Sequence, residues 1–402
     1  MRVTARGTGA MGGMGRVPSR GIPGTRTTRG MRTRRRRFDC STTYHFQEDT
    51  LYRKKVTKSS LLVRSYRATL STMAASMYRV EDAKVRDFYT PFYGHDVQDL
   101  SVALAAMRRR HDRVIWLAGD SSLDNKYWFE DVASALNGYE DFLTPQVMKK
   151  DVCYWINERC VAENKSMGCI NTAVEATCLN DRAFGRLLPQ DAFLRDNMAE
   201  EDVLVVSVGG NDVALQPLLC TALNLAALVC CTPAWCLERC ACAHPPNLGV
   251  DCGCVGCGLP GCVVGTCSGW PLGFGYVVDL FKNRVESYVR RLCATTKPRT
   301  VLVCAIYYPE ETTRGGWADT ALKAMCYDFN PGKLQLLIRK VFEHATARIR
   351  VPGVNVVPVP LFEVLDSKDP RDYEQRVEPS ASAGSKMAAA FHSAMDRRDT
   401  FT

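Results

Sequence analysis

The sequence predicts an α/β fold with three layers, in which a parallel β-sheet lies between two layers of helices. Four short apolar runs, at residues 114–118, 203–208, 300–307 and 354–359, have the length and the β-branched content of buried strands. Helix-like patterns separate them, and the amphipathic pattern over 333–349 is the strongest. Strands that alternate with helices in this way are typical of a parallel sheet covered on both faces.

The remaining elements follow from local patterns. An apolar run at 152–156 is a candidate for a fifth strand. At 99–110, spaced apolar residues followed by three arginines predict a helix that leads into the first strand. In all, we expect further helices at 99–110, 125–137, 172–188 and 385–398.

Two of the predicted strands end in polar motifs. Gly119-Asp120-Ser121 follows the first strand, and the turn is expected to present Ser121 at a helix N-terminus, where N–H groups and the helix dipole suit an oxyanion. The strand at 203–208 runs into Gly209-Gly210-Asn211-Asp212. Because ligands of open α/β sheets bind at the carboxyl ends of strands, the Asn211 amide is placed to donate to the same oxyanion.

In this order and strand context, the two motifs resemble those of the SGNH (GDSL-type) hydrolase superfamily, over roughly residues 113–398. The resemblance implies a flavodoxin-like SGNH hydrolase fold, with Ser121 as nucleophile and Asn211 in the oxyanion hole. It also implies a glycine N–H donor after the second strand, for which Gly168 is the nearest candidate. The implied substrate is an ester, such as an acetylated sugar or a lipid acyl group, and the implied catalysis needs no cofactor.

The last motif departs from the family pattern. The family closes with Asp-x-x-His-Pro, whereas here Glu378 precedes Pro379 and Gln375 occupies the aspartate position. A serine without an adjacent base is a poor nucleophile, so Glu378 is the candidate base, provided that burial raises its pKa. A catalytically degenerate protein that binds a ligand or partner on the same fold is the alternative. Candidates for a rearranged dyad are Asp366, Asp369 and Asp372.

The histidines offer little replacement for the missing base. His111 precedes the first strand and so lies at the opposite end of the sheet from Ser121, and His392 is about 20 Å along the terminal helix from Glu378. His344 is expected within a helix. The remaining three are His45, which falls in no motif, and His95 and His244, which geometry leaves open.

A cysteine-rich insert follows the second motif. Eleven of the nineteen cysteines lie between residues 220 and 267. In a reducing compartment their spacing favours a structural zinc ion, and in an oxidising one it favours disulfides. The insert emerges at the catalytic end of the sheet, as a lid or substrate wall or as a stapled structural loop. The candidate zinc ligands are Cys240, Cys242, His244, Cys252, Cys254 and Cys257.

The predicted organisation has three parts: an Arg-rich leader at 1–37, an N-terminal extension at 38–98, and a hydrolase-like domain at 99–402 that contains the insert at 220–267. The leader holds eleven arginines and no lysine, aspartate or glutamate. The net charge of +9 therefore becomes −2 for the rest of the chain (9 − 11), which gives no argument for a nucleic-acid partner.

The leader resembles an organelle transit peptide of a mitochondrion or plastid, and it lacks the apolar core of a secretory signal. A disordered tail on a cytoplasmic protein and a later start codon are the alternatives. No run approaches eighteen consecutive apolar residues, so no transmembrane helix is expected. The oligomeric state does not follow from the sequence.

Overall fold

Five parallel strands form the central sheet of this computed structural model, which describes residues 83–90, 92–247 and 262–399. They are β1 (Arg113–Gly119), β2 (Met167–Asn171), β3 (Val203–Ser207), β4 (Thr300–Ala305) and β5 (Val356–Pro360). Their spatial order is β5-β4-β3-β1-β2. This is the 2-1-3-4-5 order of flavodoxin-like folds, so the predicted fold class is confirmed.

Helices cover both faces of the sheet. On one face the helix at 152–162 packs against the C-terminal helix, and on the other the helices at 97–110, 189–197 and 285–292 pack together. In chain order the longer helices are α1 (Val97–Arg110), α2 (Val152–Ala162), α3 (Pro189–Asn197), α4 (Val285–Leu292), α5 (Pro331–His344) and α6 (Ala381–Asp399).

Shorter elements connect these layers. The short helices are Val85–Tyr89, Gly210–Val213, Leu219–Ala226, Ala234–Cys240, Phe274–Val278 and Ala318–Ala324, with π-helical turns at Ala227–Cys231 and Asp279–Arg284. The 3₁₀ turns are Lys126–Trp128, Tyr139–Asp141, Leu179–Arg182, Thr346–Arg348, Leu361–Glu363 and Pro370–Asp372. The minor strand pairs are Ala83–Lys84 with Leu143–Thr144, Val132–Ser134 with Val147–Lys149, Cys242–Ala243 with Gly269–Trp270, and Tyr373–Glu374 with Glu378–Pro379.

The central strands are apolar along their whole length because helices cover both of their faces. Every residue of β3 is buried, and so is nearly all of β1. The one large buried side chain of β1 with a polar atom, Trp116, donates its indole N–H to Asp202 at 2.9 Å, so its burial leaves no unpaired donor.

Three predicted elements are wrong. Residues 125–137 form a 3₁₀ turn and the strand Val132–Ser134, because Asn125 donates to the distant carbonyl of Pro379 and Lys126 pairs with Asp124 of the serine turn, and neither side chain caps a helix. Residues 172–188 form a loop with one 3₁₀ turn. The run at 152–156 belongs to α2, which Asp151 caps by accepting from Tyr154 N–H at 2.8 Å, since a short apolar run fits a buried helix as well as a strand.

The predicted leader lies outside the described residues, and the domain boundaries stay a prediction. Within the described part of the chain, no single helix has the length and apolar composition to cross a membrane. The helices Leu219–Cys231 and Ala234–Cys240 reach that length and apolar composition only when they are counted together, and the angle between them is 106°.

Candidate active site

The turn that carries Ser121 depends on a glycine. Gly119 has a φ of +138°, and a Cβ at this position would lie 1.7 Å from the carbonyl oxygen of Ser207. The same two residues are paired in register between β1 and β3. The turn after β1 and the turn after β3, which carries Asn211, therefore lie side by side at the carboxyl end of the sheet.

Asp120 ties these two turns together. Its Oδ1 accepts the backbone N–H of Ser122 at 3.1 Å and lies 2.7 Å from the Ser122 hydroxyl, which in turn is 2.6 Å from the Ser207 hydroxyl. The backbone of Gly209 also donates to Asp120. Burial raises the pKa of Asp120, and these donors oppose the rise. The motif aspartate is thus a positioning residue for the serine turn.

Ser121 meets a carboxyl group. Its Oγ donates to Oε1 of Glu378 at 3.2 Å, and both residues are buried. Burial is the main cause that raises the pKa of Glu378 to about 8; the Ser121 hydrogen bond lowers it, and the nearby carboxyls of Asp120, Glu175 and Asp124 raise it further. In the described part of the chain, Oε2 of Glu378 is buried with no hydrogen-bond partner.

A hairpin between Tyr373–Glu374 and Glu378–Pro379 holds Glu378 in place. The side chain of Asn125 donates to the carbonyl of Pro379 at 2.9 Å, which fastens this hairpin to the serine turn. In the hairpin loop, the fully buried Arg376 donates to the carbonyl of Glu310 at 3.1 Å and pairs with Asp319 at 2.7 Å. The position of Glu378 is therefore set by contacts on both sides of the hairpin.

Asn211 lies where the motif predicts, in the turn after β3 and at the wall of a cavity beside Ser121. Its amide Nδ2 donates to the carbonyl of Thr177 at 3.0 Å. A primary amide has two N–H donors, so one bond orients the group and leaves a second hydrogen for a ligand. The following residue, Asp212, accepts from Leu179 N–H at 2.8 Å, and mainly burial raises its pKa to about 6.

Gly168 does not lie in this site. It pairs in register with Val114, five residues before the end of β1 at Gly119, which is about 17 Å along the strand. A Cβ on Gly168 would meet Met107 and His111, both at the amino end of the sheet. The expected oxyanion glycine is therefore wrong, because Gly168 is part of β2 itself and does not follow the strand.

No described histidine lines the cavity beside Ser121. His111 is 3.0 Å from the carbonyl of Asn137 at the amino end of the sheet, and His392 pairs with Glu163, the residue that follows α2. His95 is stacked on Phe88, and burial lowers its pKa well below the usual value. The last two described histidines lie elsewhere: His344 packs against Phe274, and the exposed His244 follows the minor strand Cys242–Ala243 and donates its backbone N–H to Ser268.

The three aspartates proposed for a rearranged dyad have other partners. Asp372 pairs with Lys386 at 2.6 Å, Asp369 pairs with Arg371, and the backbone N–H of Asp366 donates to Asp372 at 3.1 Å. None of them lines the cavity beside Ser121.

A buried ionic cluster near the serine turn has no counterpart in the sequence-based expectations. Asp124 forms an ion pair with Lys126 at 2.6 Å, in which both side chains are almost fully buried. Asp124 also accepts the backbone N–H of Glu175 at 2.9 Å. Burial, together with Asp124, raises the pKa of Glu175 to about 7. The proximity of Asp124 to Ser121 in the chain is the single sequence signal that points to this cluster.

The cavity beside Ser121 has a volume of about 90 Å³, and most of its wall is apolar. At one end it is lined by Ser121, Asn211 and Glu378. Two aliphatic residues of α5, Leu334 and Ile338, both line the cavity because residues four apart lie on one face of a helix. The other apolar side chains of the wall are Val213, Ala214, Ile306, Tyr307, Pro309, Trp317, Leu322, Met325 and Val377.

The insert contains one disulfide within the described residues, between Cys220 and Cys262. Cys240 and Cys242 are exposed free thiols, and no group of three or more metal-ligating side chains occurs in the described ranges. The other three candidate ligand cysteines, at 252, 254 and 257, lie outside the described residues. Zinc in this insert stays a prediction.

This geometry defines the class of protein. A sheet of order 2-1-3-4-5, whose first strand ends at Gly-Asp-Ser and whose third ends at Gly-Gly-Asn-Asp, is an SGNH hydrolase-like fold, as the two motifs predict.

Several solved structures that the chain is similar to are named as esterases or lipases. The chain is similar to a family 3 carbohydrate esterase of Clostridium thermocellum (12% identity, 72% of this chain and 98% of that one, TM-score 0.32). It is also similar to a phospholipase A1 of Streptomyces albidoflavus (12%, 70% and 98%, TM-score 0.32) and to an acetyl xylan esterase of Geobacillus stearothermophilus (12%, 71% and 94%, TM-score 0.31). No protein-family model matches the chain, and no curated protein matches its sequence significantly.

Proposed function

We propose that this protein is a serine ester hydrolase that uses Ser121 as nucleophile and Glu378 as general base. The observation that supports this most directly is the 3.2 Å hydrogen bond between the Ser121 hydroxyl and the Glu378 carboxyl at the end of a cavity. A nucleophile within hydrogen-bonding reach of a base is the arrangement that acyl transfer requires.

In the proposed reaction, Ser121 Oγ attacks the ester carbonyl while Glu378 accepts the hydroxyl proton. The negative charge on the carbonyl oxygen is stabilised by the free N–H of the Asn211 amide and by the backbone N–H of Ser121. Glu378 then returns the proton to the leaving alcohol, and water deacylates the serine by the reverse sequence. The apolar wall of the cavity favours an acyl group of several carbons over an acetyl group or a sugar.

A ligand-binding protein without turnover is the second candidate. It is favoured by the pKa of about 8 at Glu378, which leaves the carboxyl mostly protonated at neutral pH, and by the unpartnered Oε2. A protonated carboxyl donates a hydrogen bond and does not accept the serine proton. In this case the cavity would hold an apolar ligand beside Ser121 without cleaving it.

The test is to label the purified protein with a fluorophosphonate probe at pH 7 and pH 9. Such a probe reacts with a serine that its surroundings activate. We expect labelling of the wild type that is stronger at pH 9, and its loss in Ser121→Ala. Ser101→Ala, in an exposed position of α1, is the matched control and should label as the wild type does. A folded wild-type protein that is not labelled at either pH would favour the ligand-binding candidate.

A further inference from the structure

Two segments around the site carry no charged side chain. Residues 213–237 and 262–278 contain no Asp, Glu, Lys or Arg, although charged residues make up 24% of the whole chain. The same segments expose large apolar side chains to solvent, with Leu219 at 74% and Leu223 at 62% exposure. Apolar residues exposed singly are ordinary, whereas a continuous uncharged apolar surface marks an interaction site.

The helix Leu219–Ala226 has its polarity reversed relative to a soluble surface helix. Leu219 and Leu223 lie one turn apart on its exposed side. Its polar residues point inward: the hydroxyl of Thr221 lies 2.8 Å from that of Tyr276, and the buried Asn224 donates to the carbonyl of Cys220 at 2.8 Å. A helix in water normally exposes its polar face, so this one is arranged for an apolar environment on its outer side.

Neighbouring segments extend this exposed surface. The disulfide between Cys220 and Cys262, with Cα atoms 6.2 Å apart, brings Val263 next to Leu219. Gly273 packs so closely on Asn224 that an added Cβ would lie 2.8 Å from Oδ1, which places Leu272 beside Leu223. We define the apolar face as the exposed side chains of Leu219, Leu223, Val263, Leu272 and Phe329.

Phe329 joins the face through a pair of cysteines. Cys230, which follows the reversed helix in the chain, has its Sγ 3.4 Å from that of Cys326. The backbone N–H of Phe329 donates to the carbonyl of Cys326 at 3.2 Å, and its side chain is 83% exposed. The most exposed aromatic ring of the described chain therefore lies beside the uncharged segment.

The apolar face continues into the wall of the cavity. Ala214 lines the cavity and lies five residues before Leu219. Met325 also lines it and lies four residues before Phe329. The stretches 214–219 and 325–329 thus each contribute one end to the wall around Ser121 and the other end to the apolar face.

We propose that the apolar face binds the surface of a lipid bilayer with uncharged headgroups, and that the cavity receives its acyl ester from that surface. The second half of the proposal rests on the proposed hydrolase function, and the first half does not. Reversible interfacial binding needs exposed apolar area and indole rings near the headgroups. Trp235 and Trp270, both more than half exposed, supply these rings in the same two segments.

The absence of charge selects this occupant over the others. A protein interface combines an apolar centre with a polar rim that sets the orientation of the partner, and the two segments offer no charged group for such a rim. An anionic bilayer is recognised by clusters of lysine and arginine, which these segments also lack. A bilayer with uncharged headgroups requires neither charged groups for orientation nor a cluster of basic residues.

The experiment is flotation of the full chain, as the Ser121→Ala variant, with phosphatidylcholine vesicles. Turnover then cannot affect binding. We expect the protein to float with the vesicles, and the bound fraction to be unchanged by 0.5 M salt or by added phosphatidylserine. Leu223→Glu should lower the bound fraction at least tenfold, and the milder Leu219→Ser should lower it several-fold. Val161→Glu, at a half-exposed valine on α2, is the matched control and should float as the parent does.

Failure of flotation by the parent protein, or an equal loss in Val161→Glu, would overturn the proposal. If the parent protein is a dimer that does not float, and Leu223→Glu is a monomer, the face is an interface between two copies of this chain. Hydrolysis of a soluble ester separates the two proposals. Flotation of a protein that does not hydrolyse the soluble ester would support the lipid-binding face and contradict the hydrolase function. Hydrolysis by a protein that does not float would support the hydrolase function and contradict the lipid-binding face.

Discussion

The hydroxyl of Ser121 lies 3.2 Å from the carboxyl of Glu378, although 257 residues separate them in the chain. The contact forms because β1 ends at the serine turn and Asn125 bonds the Glu378 hairpin to that turn. Where a histidine is expected, a buried carboxyl with a pKa of about 8 takes its place. This difference leads to predictions about pH, because the proton equilibrium of Glu378 governs both activity and stability.

Activity should rise with pH through about 8. Only the ionised carboxylate of Glu378 accepts the serine proton, so kcat/KM should fall roughly tenfold per pH unit below its pKa of about 8. The measurement is the pH profile of hydrolysis of p-nitrophenyl butyrate from pH 6 to 9.5. Glu378→Gln should lose the activity at every pH, and Glu238→Gln, at an exposed glutamate, should retain the profile. A flat wild-type profile would exclude Glu378 as the base.

The stability of the fold should fall over the same pH range. The folded-state pKa of Glu378, about 8, is above the ordinary value, so the unfolded chain loses this proton first. The free energy of unfolding therefore declines between about pH 4 and pH 8. At pH 9, Glu378→Gln should be more stable than the wild type by up to about 5 kcal/mol. Thermal unfolding at pH 5 and pH 9 tests this, since the difference should shrink to about 1 kcal/mol or less at the lower pH.

Four of the five strands of the sheet can be predicted from the sequence, whereas the edge strand β2 and the loops around the site cannot. The run Val203–Ser207 is apolar throughout because both faces are covered, which is a local signal. Residues 125–137 carry helix-like periodicity, but Asn125 bonds to the distant Pro379 and Lys126 forms a buried pair with Asp124, and the segment folds as a turn and a strand. Local periodicity contains no information about those partners.

The same distinction holds within the site. Ser121, Asn211 and Glu378 stand at motif positions, and the structure brings all three to one cavity. Gly168 is misplaced because a loose glycine match does not fix its register on β2. Glu175 has no motif, and its contact with Asp124 spans 51 residues of chain, so only the folded structure reveals it.

Arg182 should be essential for the stability of the site. Its guanidinium is fully buried and donates to Asp191 at 2.9 Å, to the carbonyl of Gly119 at 2.9 Å and to the hydroxyl of Thr177 at 2.9 Å. Arg182→Met leaves Asp191 buried without its cation, so we expect a loss of about 3–5 kcal/mol in the free energy of unfolding. Urea unfolding measures it. Arg186→Met, at an exposed arginine nearby, should cost less than about 1 kcal/mol, and equal losses would contradict the prediction.

Cys230 and Cys326 should form a disulfide under mild oxidation. Their sulfur atoms are 3.4 Å apart and Cys230 is exposed, so a small oxidant such as diamide has access. The oxidant takes up the two hydrogens that the thiols lose. Peptide mapping by mass spectrometry without reductant should show the cross-link in the wild type and its absence in Cys230→Ser. Cys304→Ser, at a buried thiol of β4, should leave the cross-link intact.

Filling the cavity should change the preferred acyl length. Ile338 and Leu334 line the cavity from one face of α5, so Ile338→Phe reduces the space for the acyl group without touching Ser121 or Glu378. We expect kcat/KM for p-nitrophenyl octanoate to fall at least tenfold and that for the acetate to change less than twofold. Leu336→Phe, at a buried position of α5 outside the cavity wall, controls for strain in the helix. Any loss of kcat/KM in this variant should be equal for the two esters. An equal loss on both esters in Ile338→Phe would mean that the acyl group does not occupy this cavity.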